Sequence, residues 1–340
     1  MRAPTRCRCP DAPRASTGVT GSSATQTQGT IGRNAPFPAA IVIQKILAAL
    51  CALSAALLSP ALHAESDGDT LTAIREHGSI RLGHRLSSVP FSYIGESGGV
   101  EGYSHDMAMH IVAAIRARLA LPTLPVELVP ITSGNRMRLI RKGEIDFECG
   151  STTHNSSRAR EVSFSTTIFI IGTRLLTRRD SGIAGFADLD GHRVVTTAGT
   201  TSERLLRQMK EEGQVELTLI TARDHGESFL TLEAGQADAF MLDDALLYGE
   251  TAKSKRPAEW IVTGVPRSFE AYGCMMRKDD PVMKQLVDTT LIALMASGEA
   301  ERIYNRWFMQ PIPPNGLNLN FPLSDSMRAL FAAPNDKPFQ

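Results

Sequence analysis

Apolar positions in this chain recur with two periods, and the two periods take turns. Ser79-Ile80-Arg81-Leu82 alternates in steps of two and stops at Gly83, whereas residues 106–119 set Met107, Ile111, Ile115 and Leu119 four apart before Pro122. A step of two marks a half-buried strand and a step of four marks one face of a helix. The segment therefore predicts strand, loop, helix. Val126-Glu127-Leu128-Val129 predicts the next strand, residues 136–142 a short helix ended by Gly143, and Ile145-Asp146-Phe147-Glu148 a third strand. Alternation of this kind predicts an α/β architecture with a parallel-dominated sheet.

The pattern starts again after Phe164-Ser165-Thr166-Thr167. Strands are expected at 193–196, 217–220 and 239–242, and helices at 201–211, 226–233 and 244–253. A second α/β unit is thus nested inside the first. Residues 272–277 read as a returning strand, 282–296 and 299–308 as two C-terminal helices, and 311–340, rich in Pro and Asn, as a segment wrapping the surface. The expected division is 68–165 plus 275–340 for lobe 1 and 166–274 for lobe 2, with hinge strands at its ends. Two mixed sheets flanked by helices and joined by two crossing strands would leave a cleft at the strand ends, where open α/β sheets bind ligands.

Residues 41–58 form an apolar run broken only by Gln44, Lys45 and Ser54, followed by Ser59-Pro60-Ala61-Leu62-His63-Ala64 and then polar Glu65-Ser66-Asp67. This has the shape of a secretory signal peptide, with cleavage expected after Ala64 or Ala61. A membrane anchor is the competing reading, disfavoured because the unbroken stretch after Lys45 is shorter than the ~20 residues of a spanning helix. Residues 1–64 are assigned to leader and signal peptide, and 1–34 to a disordered leader or an upstream start-site artefact. The expected location is the periplasm.

At 340 residues with 42% hydrophobic content, the chain can build a substantial core and two domains. Its formal charge is zero, and the region beyond residue 64 carries a modest acidic excess, which gives no footprint for nucleic acid. Cys7, Cys9 and Cys51 fall in the leader, leaving Cys149 and Cys274 as an even pair in an oxidising compartment. Both lie in strand-like runs, so a disulfide and two buried free thiols are both open. No metal-ligand spacing is present, and no cofactor is expected.

Three arginines stand in separate turn-like segments: Arg85 in Gly-His-Arg-Leu-Ser-Ser, Arg136 in Ser-Gly-Asn-Arg and Arg158 in Asn-Ser-Ser-Arg. Guanidinium keeps its charge and presents a planar donor fork that matches carboxylate, so an inward-facing arginine calls for an anion. Gly199-Thr200-Thr201-Ser202-Glu203 follows a strand and opens a helix with capping-box spacing, which can also hold an anion on its backbone N–H groups. Asp243 closes a strand before Asp244, and its partner is either an ammonium or a backbone amide. Singly, each has a bland reading: His225 as a solvated turn residue, the arginines as surface ion pairs. Their shared position at the C-terminal ends of predicted strands favours a common site.

The stretches Gly83-His84-Arg85 through Pro90-Phe91-Ser92-Tyr93, Pro130-Ile131-Thr132-Ser133-Gly134-Asn135-Arg136, Phe147-Glu148-Cys149-Gly150-Ser151-Thr152-Thr153, Gly199-Thr200-Thr201-Ser202, Asp224-His225-Gly226 and Asp243-Asp244-Ala245-Leu246-Leu247 together resemble the periplasmic glutamate/aspartate-binding proteins of ATP-binding-cassette importers, a branch of the family 3 solute-binding proteins. The resemblance runs from Thr70 to the C-terminus. It implies a two-lobed periplasmic-binding-protein fold of type II, a monomer, glutamate and aspartate as ligands, and a membrane permease as partner. Carried over by position, it implies that Arg158, Thr153 and the Thr201 backbone receive the α-carboxylate, that Asp243 and Ser151 take the α-ammonium, and that Arg85, Ser133, Arg136 and His225 surround the side-chain carboxylate. The alternatives are a dehydratase-like periplasmic enzyme on the same fold, which would need a cleft group free for acid or base work, and a sensory binding protein.

Overall fold

The computed structural model describes residues 69–313 and 315–338. The apolar run at 41–58 and its cleavage site lie outside the described residues. Helix α1 (Thr70–His77) opens on the Asp69 side chain, which accepts from the Thr72 N–H, and closes on Gly78 at φ +79°. Then come β1 (Ile80–His84), a small antiparallel meander of β2 (Ser87–Ser88), β3 (Ser92–Ile94) and β4 (Val100–Glu101), and helix α2 (Tyr103–Leu119). Strand β5 (Val126–Pro130), helix α3 (Arg136–Arg141) and strand β6 (Phe147–Glu148) complete the first run.

The long strand β7 (Ser163–Arg178) leads into the second unit, made of β8 (Arg193–Thr197), α4 (Thr201–Glu211), β9 (Thr218–Ala222), α5 (His225–Glu233), β10 (Ala239–Asp243), α6 (Asp244–Lys253) and β11 (Trp260–Thr263). The chain returns through β12 (Phe269–Met276) to α7 (Pro281–Ala296) and α8 (Glu299–Phe308), and ends with β13 (Pro311–Ile312), β14 (Leu317–Asn318) and α9 (Asp325–Ala332).

Among the described residues, nine strands form one linked ladder in the order β5-β1-β6-β12-β7-β10-β8-β9, with β11 on the far side of β7. Strands β1, β5 and β6 are mutually parallel, as are β8, β9 and β10, while β7 and β12 run antiparallel to their neighbours. Each lobe therefore has a mixed sheet, and β7 belongs to both. Its first part pairs with β12 up to Gly172↔Phe269, and its second part pairs with β10 from Thr173↔Asp243. The return crossing lies alongside, where the Thr173 N–H donates to Ser268 O at 2.9 Å and the Arg267 N–H to Thr173 O at 2.8 Å.

The sequence pattern left the reach of β7 unread for a physical reason. It is buried on both faces almost throughout, so it shows no alternation to read. An aromatic cluster anchors it: the Phe169 ring lies 4.9 Å from Phe91 and 5.0 Å from Phe308, and the Tyr103 hydroxyl donates to Ile168 O. A separate core of Leu175, Val194, Leu206 and Met241 packs the second lobe.

Two expectations are refined. Cys149 and Cys274 are joined as a disulfide, with Cα atoms 4.3 Å apart, which ties the end of β6 to β12. The segment after residue 310 does more than wrap the surface. Ile312, Met327 and Leu330 enter the main core, and the Asn335 carbonyl accepts from the Thr167 N–H of β7. No helix among the described residues is long and apolar enough to cross a membrane.

Candidate functional site

The nine candidate residues stand at or after the C-terminal ends of parallel strands from both lobes. Arg85 follows β1, Ser133 and Arg136 follow β5, Ser151 and Thr153 follow β6, and Arg158 opens a single 3-10 turn (Arg158–Arg160). From the other lobe, Thr201 is the first residue of α4 after β8, His225 the first of α5 after β9, and Asp243 the last of β10. All of them are buried except Arg158, which is partly exposed.

Arg85 and Arg136 are among the largest fully buried side chains of the protein, each 1% exposed. Neither is spent on a salt bridge among the described residues. One Arg85 nitrogen donates to Ser151 Oγ at 3.3 Å and another to His225 Nε2 at 3.4 Å across the cleft. Arg136 donates to Ser151 O at 3.1 Å and to Thr152 Oγ1 at 2.6 Å, and Thr152 donates in turn to Glu148. Arg136 Nε and Ser133 Oγ remain buried without a hydrogen-bond partner among the described residues. Buried guanidinium groups with donors to spare have the chemistry to receive an anion. Burial and the neighbouring Arg136 draw Arg85 down to about 10, so it stays cationic at neutral pH.

His225 has a defined tautomer. Because Nε2 accepts from Arg85, the ring proton sits on Nδ1 and goes to Thr197 Oγ1 at 2.8 Å, whose own proton reaches Ser228 Oγ at 2.8 Å. Burial, then Arg85, hold the imidazole well below its ordinary value, so His225 is a neutral group wedged against a guanidinium and not a solvated turn residue.

Arg158 bridges the lobes, donating to Thr153 O at 2.9 Å and to Gly199 O at 3.1 Å. Burial and Arg136 draw it down to about 9. The loop that receives it is tight. Gly199 has φ +78°, and a Cβ placed there would lie 2.7 Å from the backbone of Gly134 in the opposite lobe. Thr200 caps α4 by accepting from the Glu203 N–H, while the Glu203 carboxylate takes the Gly199 N–H. Thr201 and Thr153 line a cavity of about 130 Å3 with Asn155, Arg204, Ser268 and Glu270. A larger cavity of about 500 Å3, between α9 and the hinge strands, is lined mostly by small and apolar side chains and lies away from these groups.

Asp243 stands at the N-cap of α6, but its side chain makes no capping hydrogen bond there. Its carboxylate accepts from Tyr272 and from Thr173 Oγ1, the latter at 2.9 Å, and burial pushes its proton affinity up. Glu148, Thr152, Thr173, Ser268, Glu270 and Tyr272 were not singled out from the sequence. Glu270 and Tyr272, two apart in a strand, share one face of β12, and that spacing was the available signal. Among the described residues no cluster of His, Cys, Asp and Glu is placed to hold a metal ion.

Residues 80–310 match the family model described as bacterial extracellular solute-binding proteins, family 3. The chain is 52% identical over 287 residues to the L-glutamate/L-aspartate-binding protein of Pseudomonas aeruginosa, covering 84% of this chain and 95% of that protein. It is 53% identical over 286 residues to the glutamate/aspartate import solute-binding protein of Escherichia coli, with the same coverage of 84% and 95%. Among solved structures, a mutant of the arginine-binding protein of T. maritima superposes with a TM-score of 0.63 at 24% identity, covering 70% of this chain and 98% of that one. The solute receptor for L-cysteine of Neisseria gonorrhoeae gives 0.62 at 24% identity, covering 70% and 93%. The two structures speak to the fold alone.

Proposed function

Because this chain belongs to the bacterial extracellular solute-binding proteins of family 3, we propose that it captures L-glutamate and L-aspartate in the periplasm and delivers them to the membrane permease of an ATP-binding-cassette importer. The observation that carries this reading is the buried pair Arg85 and Arg136, each 1% exposed and, among the described residues, without a carboxylate salt-bridge partner. Two curated relatives above half identity are named for the same two amino acids. In this reading Arg85, Ser133, Arg136 and His225 surround the side-chain carboxylate, with His225 acting through Arg85, whose N–H its bare Nε2 accepts. Arg158, Thr153 and the Thr201 backbone take the α-carboxylate, and Asp243 and Ser151 take the ammonium. Contacts from both lobes to one small molecule favour hinge closure, and the closed shape is what the permease would read. The apolar run at 41–58 supports export by a cleaved signal peptide.

Replacing the ligand's side-chain carboxylate by an amide would leave two buried guanidinium groups facing a neutral acceptor, a loss of several kcal/mol. One methylene separates glutamate from aspartate and is worth only about 1–3 kcal/mol, so both should bind. Calorimetric titration of the purified protein with glutamate, aspartate, glutamine and asparagine tests this. The acids should bind at least about a hundredfold more tightly than their amides. Equal binding of glutamine would remove the carboxylate from the arginine pair, and turnover of any of the four would make the protein an enzyme.

A further inference from the structure

The acidic end of the cleft contains a second carboxylate that the ligand assignment leaves unused. Glu270, like Asp243 only 5% exposed, lies on a chain of hydroxyls that leads to Asp243. Glu270 Oε1 is 3.1 Å from Ser268 Oγ, Ser268 Oγ is 3.0 Å from Thr173 Oγ1, and Thr173 Oγ1 is 2.9 Å from Asp243 Oδ1. Three links need three protons, and two hydroxyls supply two. Tyr272 is committed to the other oxygen of Asp243 and cannot furnish the third. A proton on one of the two carboxyl groups completes the chain. We propose that Asp243 and Glu270 share one proton in the ligand-free protein and release it when an α-ammonium docks, so that amino-acid capture is coupled to proton release.

This rests on the assignment of Asp243 to the ammonium. On docking, the carboxyl O–H bond breaks, its electron pair stays on the carboxylate, and the proton leaves to buffer through the cavity of about 130 Å3 that Glu270, Ser268 and Thr153 line. One positive charge enters the site and one departs. The charged and titratable groups around Glu270 fit the exchange. Asp243 on β10 acts as a like charge and Arg158 on the 3-10 turn as an opposite one. Tyr272 lies on the same strand, Asp244 follows Asp243, and Arg204 of α4 lines the same cavity. Burial, then the charge of Asp243, push Glu270 up to about 7, so the exchange falls in the neutral range. Asp244 sits lower, at about 6, raised by burial and by Asp243, and lies outside the hydroxyl chain.

The sign follows from linkage. A bound ammonium lowers the pair's affinity for its proton, so glutamate binds more tightly as pH rises through the titration, by up to about tenfold per pH unit on its acid side, and levels off above it. The measurement is calorimetry of the purified protein with L-glutamate at pH 7 in buffers of different ionisation enthalpy, which counts protons released per ligand bound. The wild type should release roughly half a proton. Glu270→Gln, whose amide N–H completes the chain without a titratable proton, should release close to none. Ser268→Ala keeps the carboxylate but cuts the chain and should also release less. Zero release by the wild type, or equal release by the wild type and Glu270→Gln, overturns the proposal. Failure of glutamate to bind at all is a separate result: it removes the ligand assignment, and the proton count with it.

Discussion

The two ends of the cleft meet opposite charges in opposite ways. At the cationic end, Arg85 and Arg136 give their N–H groups to neutral acceptors, and Ser133 Oγ and Arg136 Nε are left over. At the acidic end, Asp243 and Glu270 are tied into a network of Thr173, Ser268 and Tyr272. The chemistry of the side chains accounts for the contrast. Guanidinium cannot shed its charge, so its donors are met by neutral acceptors or by an anion. A carboxylate can take up a proton, so the acidic end can satisfy itself and exchange that proton for a ligand. One end keeps a fixed charge and the other an exchangeable proton.

The comparison breaks most sharply at Arg136. Changing Arg136→Met removes one of the two charges meant for the ligand's side chain while keeping the volume. Truncating one partner of a buried, hydrogen-bonded charge pair costs about 2–5 kcal/mol, so glutamate should weaken by a factor of about 30 to several thousand. Stability should change little, because Met fills the volume without a charge to desolvate while the donors to Ser151 O and Thr152 Oγ1 are lost. Glu148, whose carboxyl is already pushed up by burial, can protonate once its strongest cationic neighbour is gone. Calorimetry with a parallel thermal melt checks both halves. Affinity retained within tenfold in a folded variant would show that the cationic end is not where the acid is read.

A smaller effect should strike both ends alike. Gly199 combines φ +78° with a backbone approach that leaves 2.7 Å between an added Cβ and Gly134. Gly199→Ala therefore pays a left-handed conformational cost and holds the lobes apart at the contact between the loop before α4 and the loop of Ser133, about 1–3 kcal/mol in all. Glutamate and aspartate should weaken by the same factor, since closure and not either recognition end is disturbed. A change in their ratio would mean that the glycine shapes the pocket itself.

These contrasts were unequally legible. Residues of the cationic end were within reach because each follows a strand, and strand ends collect at the cleft in this architecture. The helices α4, α6 and α8 began and ended where spacing and caps placed them. The acidic end was readable only at Asp243. Its partners come from β7, which has no alternation, and from β12, and the Ser268–Thr173 link joins residues 95 apart. Local periodicity cannot see such a pairing. The Cys149–Cys274 bridge, 125 residues long, was visible as an even count and needed the ladder of β6, β12 and β7 to become a pair. The core-forming role of the C-terminal segment was hidden because its Pro-rich composition resembles a loop while Met327 and Leu330 occupy one short helix.

The finest test of the contrast is whether the cationic end titrates at all. His225 carries its proton on Nδ1 and presents a bare Nε2 to Arg85, so a second proton would place two cations 3.4 Å apart. Burial and Arg85 hold it well below its ordinary value, and the imidazole should therefore stay neutral across the neutral range in the ligand-free protein. Protonated His225 would strengthen anion binding as pH falls, a slope opposite in sign to the one expected from Asp243 and Glu270. The two are separable in a Glu270→Gln background, where the acidic pair is silent. There glutamate affinity should vary by less than about threefold between pH 6 and 8, and nitrogen chemical shifts should report a single neutral tautomer. Tenfold tighter binding on the acid side would make His225 a proton-dependent cation. The cationic end would then exchange protons as the acidic end does, and the division between fixed charge and exchangeable proton would no longer hold.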